Sequence, residues 1–263
     1  MASSAAAREG LLRAGVVAAL LAGLAALLAL APGEIRWRLV WERRDLFLSG
    51  LALTAAISTG ALALGLLLGA AAALARAGRS IVLDQVARTY VEVVRGTPFL
   101  VQLYVWYWCI ARSLGLHDAF GTHEAAVVGA VGLGVFAGAY VAEIVRGAIE
   151  SIDRGQWEAA RSLGLSHAQA LRHVVLPQCA QRLLPPLTGE AVSLVKESSL
   201  LSIIGVAEIT YHAKNLQAHE YETWAAFLAL AALYLCVTLP LSVLTRRAEA
   251  RLAGPQPLPV SRL

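Results

Sequence analysis

The chain has 263 residues, of which 58% are hydrophobic and 15% charged, against about 45–50% and about 25% in soluble globular domains. With a mean hydropathy of +0.63 it cannot hide its apolar surface in a soluble core of this size, so the excess faces lipid; disorder, collagen and coiled coil are excluded on the same figures. The net charge of +4 comes from basic residues set between apolar runs, which reports membrane orientation rather than nucleic-acid binding, and Cys109, Cys179 and Cys236 are too few and too scattered for a disulfide or metal framework.

A helix needs about 20 mostly apolar residues to cross about 30 Å of hydrocarbon. Six stretches qualify in chain order: residues 14–33, 46–75, 96–111, 125–142, 187–207 and 223–245. The first has a rival reading as a secretory signal, with Arg8 and Arg13 before it and Ala29-Leu30-Ala31 as a cleavage site. The third opens with Pro98, a tolerated first-turn residue. The fifth is apolar except for Lys196 and Glu197 in its middle. The tail 254–263, with Pro255, Pro257 and Pro259, is expected to be disordered.

Six spans put both ends on one side. The loops on that side, 1–13, 76–95, 146–186 and 246–263, hold 15 Lys and Arg, and the opposite loops 34–45, 114–123 and 208–222 hold 5. Positive charge marks the cytoplasmic face, so both termini are expected there. Loop 34–45 is the exception: it carries Arg36, Arg38, Arg43 and Arg44, accompanied by Glu34, Glu42 and Asp45.

The longest loop, about 146–186, is more than a connection. Residues 154–163 are good helix formers, with Asp153 placed to cap them and Gln156 three later. Gly164 can adopt the left-handed conformation that ends a helix. Ser166 can cap the next helix, again with Gln169 three later, and Pro177 is expected to stop it. The result is two short helices at a sharp corner. Ala159 and Ala160 permit close approach, Leu163 and Leu165 offer apolar contact, and Glu158 and Arg161 can form ion pairs at the rim. The corner fits either a knob that seats in a partner's groove or an amphipathic linker lying on the membrane.

These residues carry a resemblance. Glu158-Ala159-Ala160, three residues, Gly164, nine residues, Val174, one residue and Leu176-Pro177 resemble the cytoplasmic loop signature of ABC-transporter permease subunits, with valine where isoleucine is commoner. Arg95-Gly96-Thr97-Pro98, the run 139–147 and Leu194-Val195-Lys196-Glu197-Ser198-Ser199-Leu200 resemble the polar amino-acid branch. The likeness covers about residues 46–246 and leaves out the first 45. It implies an all-α type I importer domain at 46–246. In front of it, residues 1–45 form a tail, an extra membrane helix and an external loop; behind it lies a tail at 247–263. It also implies that the corner docks on a cytoplasmic ATPase, with two ATPases, a second permease and an extracytoplasmic solute-binding protein as partners in a bacterial inner membrane. No nucleic acid, metal or other cofactor is implied. Lys196 and Lys214 are the only lysines and neither follows a glycine, so the chain has no Gly-Lys-Ser/Thr phosphate loop and must borrow its motor.

Charges in a span cost at least about 2.5–3.5 kcal/mol each and usually face a bundle interior or a watery cavity. Lys196 and Glu197, with Ser193, Ser198 and Ser199 beside them, are therefore candidates for a solute pathway; the alternative is a snorkelling cytoplasmic end. Glu143 fits either a pathway contact or an ion pair with Arg146 three residues on. The Gly96–Pro98 break is either a backbone site for solute or an entry turn. Tyr104, Trp106, Tyr107 and Trp108 fit an interfacial belt or a face for an external partner. The expected function is ATP-driven import of polar amino acids by alternating access. A related solute (an opine, a sulfur amino acid, an organic anion) and a non-transporting membrane scaffold are the alternatives. A membrane enzyme is disfavoured by the lack of a nucleophile elbow or zinc-helix motif.

Overall fold

The computed structural model describes residues 34–78 and 80–252, with Ala22, Gly23, Ala26 and Ala29. Apart from those four residues, the first predicted span and its signal-peptide alternative lie outside the described residues, as does the proline-rich tail. Hydropathy sets the long elements. Arg44–Ala77, Leu116–Glu150 and Thr223–Arg247 are long and apolar enough to cross a membrane, and Phe99–Ala111 is a shorter apolar helix. They coincide with the second, fourth, sixth and third predicted spans.

In chain order the helices are α1 (Trp37–Glu42), α2 (Arg44–Ala77), α3 (Ile81–Arg95), α4 (Phe99–Tyr104, continued by a π-helical turn Val105–Ala111), α5 (Leu116–Phe120) and α6 (Glu124–Glu150). Then come α7 (Arg154–Ser162), α8 (His167–Ala170), a π-helical turn at Leu171–Val175 and α9 (Leu176–Glu197). A 3-10 segment (Ser198–Ile204), α10 (Ile209–Glu220) and α11 (Thr223–Leu252) complete the order.

The α2–α6 pair is the spine. Gly65 faces Ala137 and Gly69 faces Val141, while Gly134 and Gly138 face Leu64 and Leu68. Both numbers rise together, so the two helices run parallel, with α3 and α4 between them in sequence. Glycines four apart on both helices let the backbones approach, as at many helix contacts in lipid, where packing rather than water exclusion drives association. Ile57, Ala61, Leu133, Ala137, Leu194 and Leu201 close the core around this seam. α9 runs the other way: Cys179 Sγ donates to the Ala148 carbonyl at 3.4 Å, and Leu201 packs on Gly129.

Five sequence expectations need correction. Segment 76–95 is not a loop: Ser80 caps α3 by accepting from Leu83 N, and Ala87, Val91 and Val94 form a buried stripe at helical spacing. Segment 208–222 likewise holds α10. The helix after Gly164 does not end before Pro177. A π turn, in which Leu176 N–H reaches the Leu171 carbonyl, resets the register, so Pro177 falls in the first turn of α9 where its missing N–H costs little. Pro98 is the N-cap of α4 rather than a first-turn residue. The fifth span is also placed differently. Its helix starts at Leu176 and ends at Glu197, so Lys196 and Glu197 close α9 and the chain continues as a 3-10 segment to a left-handed Gly205.

Candidate functional site

The elbow at Asp153–Ser166 is built as its residues require. Asp153 caps α7 through Gly155 N at 2.7 Å. Gln156 does not complete a capping box; it accepts from Gln178 Nε2 of α9 at 3.0 Å. The corner is a Schellman motif: Leu165 N donates to the Ala160 carbonyl and Gly164 N to the Arg161 carbonyl, with Gly164 at φ +77°. Ser166 and Gln169 form the expected capping box on α8. Trp157 stacks on His167 across the corner with ring centroids 5.0 Å apart. Leu163 is 81% exposed, and Glu158, Ala159, Arg161 and Gly164 are exposed with it. Leu165 is half-buried, and Ala160 is turned inward at 2%. Ala160 therefore serves the packing of the elbow rather than its outer surface.

The elbow is welded to two spans. Ala148, Ile152, Val175 and Cys179 form a separate small core, with Trp157, Leu171 and Leu183 packed against it. Arg182 donates to the Ser151 carbonyl and to its hydroxyl. A push on α7 therefore moves the end of α6 and the start of α9 together.

At the far part of α9, Leu194 and Ser198 are fully buried, Ser193, Glu197 and Ser199 are half-buried, and Lys196 is exposed. The pair lies between the Cys179–Ala148 contact at the elbow end and the Leu201–Gly129 contact near the other end. That places the pair at the end of α9 away from the elbow. Among the described residues Glu197 Oε2 is buried with no hydrogen-bond partner.

Glu143 is elsewhere, where α2, α3 and α6 end. Arg76 donates to Oε1 at 2.5 Å, Arg95 lies 3.2 Å from Oε2, and Arg146 bonds to both oxygens at 2.9–3.2 Å. Three guanidiniums occupy both carboxylate oxygens, which favours the ion-pair reading over a solute contact. Glu143→Gln should leave partly buried arginines unpaired. We expect a loss near the low end of the about 3–5 kcal/mol typical of broken buried pairs, since Arg95 is largely solvated. Thermal unfolding in detergent measures it, and an unchanged midpoint would refute the clamp. The Gly96–Pro98 break is an entry turn: Gln102 Nε2 donates to the Val94 carbonyl at 2.7 Å and to Thr97, taking up the freed groups. Of the aromatic run, Tyr104 and Trp108 are exposed and Trp106 packs on Gly132.

Two features were missed. Glu208 is fully buried. Its Oε1 caps α10 by accepting from Tyr211 N at 2.9 Å, and its Oε2 accepts from Tyr234 at 3.3 Å and Thr54 at 3.5 Å. One carboxylate thus ties α2, α10 and α11. The available signal was an acid after Gly205, opening the apolar run 209, 213, 216. The second is the account of loop 34–45. Arg36 donates to Glu222 Oε2 at 2.9 Å and to the Glu220 carbonyl at 2.6 Å, and Arg43 pairs with Glu220. Burial raises the pKa of Glu222, but the Arg36 and Ala225 N–H bonds outweigh it and hold the carboxyl below the usual range. Two of the four misplaced positive charges are thus neutralised by acids at the end of α10 and just beyond it.

Three helices long and apolar enough to cross a membrane, with an exposed elbow packed between the end of one of them (α6) and the start of α9, describe a membrane-embedded subunit rather than a soluble module. Residues 62–254 match the family described as binding-protein-dependent transport system inner membrane component, and the chain belongs to that family. It is 37% identical over 220 residues to the glutamine transport system permease protein of Escherichia coli, covering 83% of this chain and 98% of that one. It is 31% identical over 214 residues to a probable glutamine ABC transporter permease protein of Bacillus subtilis, covering 81% and 96%. Its fold is similar to a crystal structure of an amino acid ABC transporter with histidines, at a TM-score of 0.75 and 36% identity, over 83% of this chain and all of that one. The protein is thus an all-α permease of the ABC importer type in an inner membrane, and membership implies an ATPase and a binding protein as partners.

Proposed function

We propose that the chain is one of two permease subunits of an importer for polar amino acids, with both termini cytoplasmic, two ATPases seated under the elbows and a solute-binding protein on the opposite face. The observation that carries this reading is α9, which bears the elbow at its start and the Lys196–Glu197 pair at its other end, a pair this reading sets within the fifth span. An exposed ammonium at that depth needs water or a partner subunit beside it. A pathway between two copies, or between this chain and a related permease, supplies both. Glu158, Ala159, Arg161, Leu163, Gly164 and Leu165 form the docking surface, with Ala160 packing behind them. Ser193, Lys196, Glu197, Ser198 and Ser199 form the pathway segment. Closure of the ATPases on ATP drives the elbows, and α6 and α9 switch the side to which the solute faces. The relatives described as glutamine permeases support an amino acid, relatives described as octopine permeases keep an opine as the alternative solute, and the charged segment favours transport over a scaffold. Residues 46–246 form the conducting unit and residues 1–45 an addition to it.

The test is the whole complex in proteoliposomes. Lys196→Ala should cut ATP-driven amino-acid uptake at least about tenfold, the size of one in-span charge contact, while the complex still assembles; wild-type kinetics would return the snorkelling reading. Leu163→Cys should crosslink to the ATPase. ATP turnover without uptake of any amino acid would refute the importer reading.

A further inference from the structure

We infer that α1 and the first turn of α2 form a binding site for a single membrane phospholipid of the phosphatidylethanolamine type, in the leaflet away from the elbow. Trp37, Trp41, Arg44 and Leu48 follow at helical spacing and lie along one exposed stripe that continues from α1 into α2. Between this stripe and α11 lies a groove of about 840 Å³, walled by Trp37, Trp41, Leu48, Ala232 and Leu233, with Arg38 and Arg44 at its mouth. Only 6% of the apolar window of α11 is buried within the chain, so the groove opens onto a face clad in acyl chains.

Its level agrees. α1 adjoins the start of α2, which runs parallel to α6, and the elbow follows the far end of α6. α1 therefore lies at the opposite membrane edge, where tryptophan and arginine suit the headgroup layer.

The charges choose the headgroup. Arg36 and Arg43 are engaged by Glu222 and Glu220. Among the described residues Arg38 and Arg44 are engaged only within their own segment: Arg38 with Glu42 at 2.6 Å, and Arg44 with Asp45 at 3.9 Å, with the Trp41 carbonyl at 3.2 Å and over the Trp41 ring at 5.1 Å. Exposed pairs of this kind are weak and exchange readily. The groove is thus lined by two guanidiniums, each with a carboxylate of its own segment beside it (Glu42 and Asp45), and the four groups together carry no net charge. It complements a phosphate beside a primary ammonium, which donates hydrogen bonds to Glu42 and Asp45. A choline headgroup has no such donor, and a glycerol headgroup has no cation. The acyl chain lies in the groove.

The experiment uses the purified full chain in phosphatidylcholine nanodiscs doped with brominated phosphatidylethanolamine, phosphatidylcholine or phosphatidylglycerol. The difference in fluorescence between the wild type and Trp37→Phe/Trp41→Phe isolates quenching at α1. The ethanolamine lipid should quench at a mole fraction about three- to tenfold lower than the other two. Arg38→Gln/Arg44→Gln should abolish that preference. Glu42→Gln/Asp45→Asn should turn it toward phosphatidylglycerol. Equal quenching by all three lipids, or a preference that survives loss of both arginines, would overturn the site. So would a disulfide between Leu233→Cys and a cysteine introduced among residues 14–33, which would show the chain itself in the groove. Protection of Trp41→Cys from labelling by the solute-binding protein would assign the face to that partner instead.

Discussion

Gly164→Val should abolish ATP-driven uptake while leaving the chain inserted and folded. Gly164 sits at φ +77°, and a Cβ built there meets nothing within 4 Å. The penalty is therefore purely conformational: about 1–2 kcal/mol for an ordinary residue in the left-handed region, and more for a β-branched one. A loss of that size depopulates the hooked corner by about 5–30-fold or more. The two bonds that close the corner, Leu165 N to Ala160 O and Gly164 N to Arg161 O, go with it, and the exposed Leu163 is re-aimed. The spans are untouched, because the elbow core at Ala148, Ile152, Val175 and Cys179 lies behind the corner. Gly164→Asn should restore much of the uptake, since asparagine visits this conformation. The measurements are uptake and ATP turnover in proteoliposomes, with crosslinking of Leu163→Cys as the docking readout. Full uptake by the valine variant would show that the corner transmits nothing.

That the corner was legible before any coordinates has a local cause. Asp153, Gly164 and the Ser166–Gln169 box act on backbone groups within five residues of themselves, so their spacing is their geometry. The long spans were legible for a similar reason, since hydropathy is summed along the chain. What failed was tertiary or masked by charge. Asp84, Arg88 and Glu92 recur along α3 and lowered its hydropathy, hiding the stripe Ala87, Val91 and Val94. Glu143 showed Arg146 three residues away, but Arg76 and Arg95 come from two other helices. Arg36 and Arg43 looked like violations of the charge rule because their carboxylates lie across the fold at Glu220 and Glu222. Pro177 read as a stop because a π turn, which shifts the bonding register ahead of it, has no strong sequence signal.

Gly69→Val should prevent the spine from assembling, with loss of folded, detergent-stable protein. A Cβ at Gly69 would lie 2.5 Å from both Cβ and Cγ1 of Val141 and 2.8 Å from the Gly138 carbonyl oxygen. Two of these are backbone or backbone-fixed atoms, so no rotamer relieves them; α2 and α6 must separate. Alanine alone should cost at the upper end of the about 1–3 kcal/mol of ordinary overpacking, and valine more. The damage reaches the next contact along the seam, where Gly138 approaches Leu68 and Tyr90 OH donates to the Val135 carbonyl at 2.6 Å. Gly60→Ala on the same helix is the control: a Cβ there meets nothing within 4 Å, and the gain in helix propensity should make it neutral or stabilising by up to about 1 kcal/mol. Size-exclusion profiles and thermal unfolding of the two variants decide the matter. Because α6 carries the elbow at its end and Glu143 about two turns earlier, separation of α2 from α6 would also release the clamp formed by Arg76. A Gly69 variant rescued for folding by Val141→Gly should therefore regain its unfolding midpoint before it regains uptake; the reverse order would mean that the α2–α6 seam bears no part of the stroke.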